Sequence, residues 1–65
     1  MLLNSKPMVQ SRYAIVIHED TDGSFWGEVT ELPGCFGSGW TREAAREDTQ
    51  HAIEVYLEAL NELGL

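Results

Sequence analysis

Cysteine occurs once in the 65 residues, at Cys35, so no disulfide can staple the chain internally. Histidine occurs twice, as His18 and His51, and neither lies near the cysteine in sequence. The clustered nitrogen and sulfur ligands of a metal centre are missing, and neither a metal nor another cofactor is expected. Basic residues are also scarce. Four Lys and Arg stand against eleven Asp and Glu, a formal net charge of −7 that repels nucleic-acid phosphates and anionic membranes. Direct nucleic-acid binding is disfavoured on that ground. No apolar run reaches the length of a membrane span. The start, Met1-Leu2-Leu3-Asn4-Ser5-Lys6, has neither the charged leader nor the apolar stretch of a signal peptide. The expected location is the cytoplasm.

A single domain of this size buries a low fraction of its surface and is only marginally stable alone. With disulfides and metals set aside, association with another copy is the remaining source of stability.

Residues 1–11 read as an N-terminal arm: Pro7 and the polar Asn4, Ser5, Lys6, Gln10 and Ser11 break any periodicity. Residues 12–65 read as one domain. Arg12–Glu19 is the first strand, with Tyr13, Ile15 and Ile17 on one face and Ala14, Val16 and His18 on the other. Both faces are largely apolar, so the strand needs cover on two sides. Glu19–Gly23 makes a hairpin turn in which Asp22-Gly23 supplies positive backbone angles. Its carboxylates suggest a calcium loop only superficially, because the bidentate Glu and the flanking helices of such a loop are missing. Ser24–Leu32 is the second strand. Phe25, Gly27 and Val29 face the helix, with Gly27 leaving room for its close approach, and Trp26, Glu28 and Thr30 face away. Val16 and Trp26 are the residues expected at a subunit interface.

Leu32-Pro33-Gly34 then turns the chain, Cys35–Trp40 forms a short third strand with Phe36 and Trp40 on one side, and Thr41 caps a helix. Cys35 is expected to be a small buried side chain and not a nucleophile, since no histidine base lies beside it in sequence. The helix spans Arg42–Leu63, with Gly64 at its C-cap. Ala45, Thr49, Ala52, Ile53, Tyr56, Leu60 and Leu63 form the stripe that meets the sheet, and Val55 and Leu57 fall away from its centre. After Arg46 no basic residue follows, whereas Glu54, Glu58 and Glu62 recur at four-residue spacing. Like charges so placed repel, and acids near a helix C-terminus oppose the helix dipole. A locally unfavourable arrangement of this kind suits either solubility or a basic partner.

The ordered combination of Tyr13–His18, Asp22-Gly23, Phe25–Val29, Leu32-Pro33-Gly34-Cys35 and Gly39-Trp40-Thr41 before Ala44-Ala45 resembles the HicB-like antitoxin family, over roughly residues 12–63. The resemblance implies an α+β fold, a three-stranded antiparallel sheet in β-β-β-α order against one long C-terminal helix, a partial version of the ribonuclease H arrangement. It also implies a function: neutralising a small basic ribonuclease toxin, of the HicA type, by protein–protein contact. The family's C-terminal DNA-binding segment and its fourth strand are expected to be missing, since the chain stops at Leu65. Two departures mark the helix start. Trp40 stands where the family has Asp, and Thr41 meets Ala44 where a capping box would have Glu or Gln.

Trp40, Glu54, Glu58 and Glu62 are therefore the expected toxin contacts. The alternatives are a self-assembling structural domain without a toxin, a homodimer or larger, and a metal-dependent nuclease built on Glu28, Glu31 and Asp48. The nuclease reading is weak because Glu28 and Glu31 differ in strand parity, and no catalytic residue is assigned.

Overall fold

The computed structural model describes residues 13–64, so the expected N-terminal arm, residues 1–11, and Arg12 lie outside the described residues. Three strands, β1 (Ile15–Glu19), β2 (Phe25–Val29) and β3 (Phe36–Gly39), precede one helix, α1 (Arg42–Glu62). They form an antiparallel sheet in the order β1-β2-β3, with His18 opposite Trp26 and Gly27 opposite Gly37. The expected β-β-β-α fold is the one observed.

Each strand is shorter than the alternation suggested, for local reasons. β2 ends at Val29 and not at Leu32, because the Leu32 amide donates to the Val29 carbonyl and the Cys35 amide to that of Leu32. Two consecutive turns therefore occupy the Leu-Pro-Gly stretch, completed by Gly34 at φ +87°. The β1–β2 connection also differs from expectation. Within this connection only Gly23 has a positive φ, at +92°, and no described non-glycine residue does. Asp20 donates to the Ser24 carbonyl and accepts from the Gly23 amide, the geometry of a three-residue loop with a glycine bulge and not of a two-residue Asp-Gly turn. Asp22 contributes through its side chain, accepting from the Ser24 amide at 2.9 Å and the Ser24 hydroxyl at 2.6 Å.

The helix sits on a floor of glycine. A Cβ at Gly27 would strike the Thr49 hydroxyl, and one at Gly37 would strike the Thr49 backbone. Because these two glycines face each other across β2 and β3, Thr49 drops into the notch between them and is fully buried. Its hydroxyl is satisfied by donating to the Ala45 carbonyl at 2.7 Å. Around this contact Val29, Leu32, Cys35 and Ile53 form the core, flanked by Tyr13, Ile15, Ala52, Tyr56 and Leu57. Two expectations are corrected here. Leu57 packs against the core although it was expected to fall away. Val55 does fall away, at 51% exposed, but Leu63, expected on the sheet, is 71% exposed. The cause is length: 21 helical residues span about 31 Å, whereas strands of four or five residues reach only about 17 Å. The last turn of α1 overhangs the sheet.

Both helix ends are closed as the sequence suggested. The Thr41 hydroxyl accepts from the Ala44 amide at 3.0 Å, and the Leu63 amide donates to the Ala59 carbonyl ahead of Gly64 at φ +80°.

Candidate functional site

Two surfaces stand out, on opposite sides of the layered fold. The first is the outer face of α1. Residues four apart on a helix lie one turn above each other, so Glu54, Glu58 and Glu62 form one stripe, and all three are exposed. Among the described residues the cationic candidate beside them is His51, whose Nδ1 lies 3.9 Å from the Glu54 carboxylate. No basic residue occupies the last turn. The stripe is thus a run of acids with no Lys or Arg on the helix after Arg46, next to the exposed Val55.

Trp40 does not belong to that stripe. It is 72% exposed and immediately precedes the N-cap, so Glu54 lies about 20 Å further along the helix axis and Glu62 about 32 Å. The structure gathers the three glutamates but does not bring Trp40 to them. Around the helix start the charge is also different. The Arg42 guanidinium lies 5.0 Å over the Phe25 ring and 3.9 Å from the Glu19 carboxylate.

The second surface is the sheet face turned away from the helix. Val16 is 38% exposed there and Phe36 55%. The His18 ring stacks on Trp26 with centroids 4.3 Å apart, and Phe36 tilts against the other side of Trp26 at 6.0 Å. Nε2 of His18 is 2.8 Å from the Glu28 carboxylate. Val16 and Trp26, the residues expected at an interface, do share this face. The sequence reading missed Phe36 and the His18–Glu28 pair as parts of it. The signal was present: once the turn fixes His18 opposite Trp26 and Val16 opposite Glu28, the neighbours follow from alternation.

The carboxylates considered for a metal go to three different partners. Glu28 meets His18, Glu31 accepts from the Ala14 amide at 3.2 Å, and Asp48 accepts from the Ser38 amide at 2.9 Å. Among the described residues no group of three or more His, Cys, Asp or Glu side chains is arranged to hold a metal ion. Nor is any described helix long and apolar enough to cross a membrane. Cys35 is buried, and burial pushes its thiol above the usual 9.0, the opposite of an activated nucleophile.

Comparison with known proteins places this geometry in a family. The chain is 39% identical to UPF0150 protein Ta0767 of Thermoplasma acidophilum over 49 residues, 75% of this chain and 71% of the relative. It is 40% identical to a UPF0150 protein of Archaeoglobus fulgidus over 47 residues, 72% and 68% of the two chains. UPF0150 protein ssr1258 of Synechocystis is 30% identical over 53 residues, 82% of this chain and 77% of that one. No solved structure matches the chain significantly. The model of the HicB-like antitoxins of bacterial toxin–antitoxin systems matches residues 13–65, all three strands and the helix, and the chain belongs to that family.

Proposed function

We propose that this chain is an antitoxin that acts by contact alone, holding a small basic ribonuclease toxin of the HicA type against the outer face of α1. The observation that carries this reading is the exposed stripe of Glu54, Glu58 and Glu62, whose like charges repel at four-residue spacing and whose last member lies in a helix end that holds no basic residue. A cost of that kind is offset when a cationic surface docks, because complementary charge speeds encounter and competes with RNA for the same cations. Trp40 is a separate anchor at the other end of the helix, a residue type that often carries binding energy. In this reading the chain catalyses nothing, binds no nucleic acid directly and meets its toxin in the cytoplasm.

The reading is tested with the triple variant Glu54→Gln, Glu58→Gln, Glu62→Gln and a small basic toxin of the HicA type. Each exposed charge pair is worth about 0.2–1 kcal/mol, so the three together should lower affinity at low salt about 3- to 160-fold, and the salt dependence should flatten. An unchanged affinity with an unchanged salt slope would move the contact elsewhere.

A second reading, self-association, is favoured by a different observation: the half-exposed aromatic row of Trp26 and Phe36 beside Val16, on a sheet face that no described element covers. The two readings are compatible, because they use opposite sides of the fold.

A further inference from the structure

The β3 edge of the sheet is described from the turn that enters it to the helix cap that leaves it, and its hydrogen-bonding phase follows from the hairpin. The Asp20 amide donates to the Ser24 carbonyl, so bonded pairs alternate along β1 and β2 from there: His18 with Trp26, then Val16 with Glu28. The other residues of β2, Phe25 and Gly27, turn their backbone groups to β3, where they stand opposite Gly39 and Gly37. Phe36 and Ser38 therefore direct N–H and C=O outward. The Ser38 amide bears this phase out, because it donates at 2.9 Å to the Asp48 carboxylate, which reaches over the edge from α1. A charged acceptor on an edge amide keeps out a strand that brings nothing to replace the lost charge–amide bond. It admits one that brings a cation.

We propose that the β3 edge takes an added strand, an extended Lys- or Arg-bearing segment of the toxin, whose backbone pairs with Phe36 and Ser38 while its cation draws off the Asp48 carboxylate; this rests on the antitoxin reading above. The Ser38 amide then turns from the carboxylate to a carbonyl of the incoming strand. Strand alternation fixes what that segment must carry. Its residue opposite Gly37 points to the helix side, beneath Asp48, and is the cation. Its residues opposite Phe36 and Ser38 point to the other face, where an apolar or β-branched side chain lies against the Phe36 ring.

Three features favour a basic segment of another protein at this edge. First, charge selects against a second copy: Cys35–Trp40 holds no Lys or Arg, and pairing two β3 edges would bring one Asp48 toward another. Second, large apolar side chains stand exposed at both ends of the edge, Phe36 at 55% and Trp40 at 72%, four residues or about 13 Å apart, the length of one short added strand. Third, Asp48, Val55 and Glu62 recur at seven-residue spacing, which drifts only about 20° per step, so all three line the flank of α1 above β3. That flank leads from the edge past the exposed Val55 to the last member of the acidic stripe. A single toxin can thus pair with β3, meet Trp40 at one end and lean on the stripe at the other.

The test measures amide hydrogen exchange by NMR on the full chain, free and bound to a small basic toxin of the HicA type, with calorimetric affinities for two variants. Ser38→Pro removes no β2–β3 bond but blocks an added strand, and Asp48→Asn keeps an acceptor for the Ser38 amide while removing the charge. The expected results are a Phe36 amide that exchanges fast in the free chain and slowly in the complex, and an affinity lowered about 10-fold or more by Ser38→Pro. Asp48→Asn should lower it about 2- to 5-fold at low salt, an effect that fades as salt rises. Salt-dependent binding that leaves Phe36 exchange fast and tolerates Ser38→Pro overturns the added strand and keeps the toxin on the helix face. Slow Phe36 exchange already in the free chain also overturns it. Protection of Phe36 in the complex, with the triple glutamine variant binding as tightly as the wild type, supports the added strand and removes the stripe. No binding overturns both. Should Ser38→Pro fail to fold, Phe36 exchange in the wild-type complex decides alone.

Discussion

Adding one methyl group at Gly37 should damage this fold more than any other glycine-to-alanine change in the sheet. Replacing a strand glycine by alanine ordinarily stabilises, by about 0.5–1 kcal/mol, because the unfolded chain loses freedom. Here the new Cβ would lie 2.6 Å from Thr49 Cα and closer still to its backbone nitrogen, in the middle of a helix that cannot bend locally. Normal contact requires about 3.4 Å or more, so α1 must lift by nearly 1 Å over Ala45, Thr49 and Ile53. Overpacking on that scale costs about 1–3 kcal/mol, from a total of about 3–10 kcal/mol for a chain this short. The midpoint of thermal unfolding should fall by about 5–20 °C. Gly27→Ala supplies the control, because its Cβ meets the Thr49 hydroxyl, with Thr49 Cβ at 3.3 Å and Ile17 Cδ1 at 3.1 Å. Thr49→Ala removes that hydroxyl. It should therefore recover about 1–2 kcal/mol of the Gly27→Ala loss and little of the Gly37→Ala loss, measured by urea unfolding as two double-mutant cycles. Equal rescue of both, or a Gly37→Ala cost below about 0.5 kcal/mol, would refute the close seating of Thr49 between the two strands.

Three further outcomes follow from local chemistry. Thr41→Ala should cost about 1 kcal/mol in urea unfolding by leaving the Ala44 amide without its acceptor, whereas Thr41→Ser should be nearly neutral. The Asp22 carboxyl is held below its ordinary 3.8 by the Ser24 hydroxyl first and the Ser24 amide second. A folded-state value below the unfolded one means the hairpin gains stability above the unfolded value and loses it as pH falls through the folded one. The NMR titration midpoint of Asp22 should lie below 3.8 and rise in Ser24→Ala; an unmoved midpoint would remove Ser24 as the cause. Cys35 is buried with its thiol pushed upward, so alkylation at neutral pH should be at least about 100-fold slower than for a free thiol and should accelerate only as urea unfolds the chain.

Much of this fold can be read from short-range signals. Strand parity placed Gly27 and Val29 toward the helix because alternation depends only on the strand itself, and Thr41 and Gly64 marked the helix ends because caps are local. Lengths were harder. Thr30–Leu32 has strand-like composition, yet the turn bonds from Leu32 and Cys35 end β2 early, a contest that residue preferences do not settle. The same holds for Leu63, whose helical phase is right but whose position runs past the sheet. On the candidate surfaces, Glu54, Glu58 and Glu62 were legible from spacing alone. Their separation from Trp40 needed only the helix rise. By contrast, the contact of Phe36 with Trp26 depends on cross-strand register, and the Asp48 bond to the β3 edge depends on how the helix is laid over the sheet.

Whether the acidic helix face holds a toxin is decided most directly by titrating this protein calorimetrically with a small basic toxin of the HicA type, at low and at moderate salt. An antitoxin that works through Glu54, Glu58 and Glu62 should bind tightly at low salt and lose affinity steeply as salt rises. No binding at either salt, or binding indifferent to salt, would contradict it.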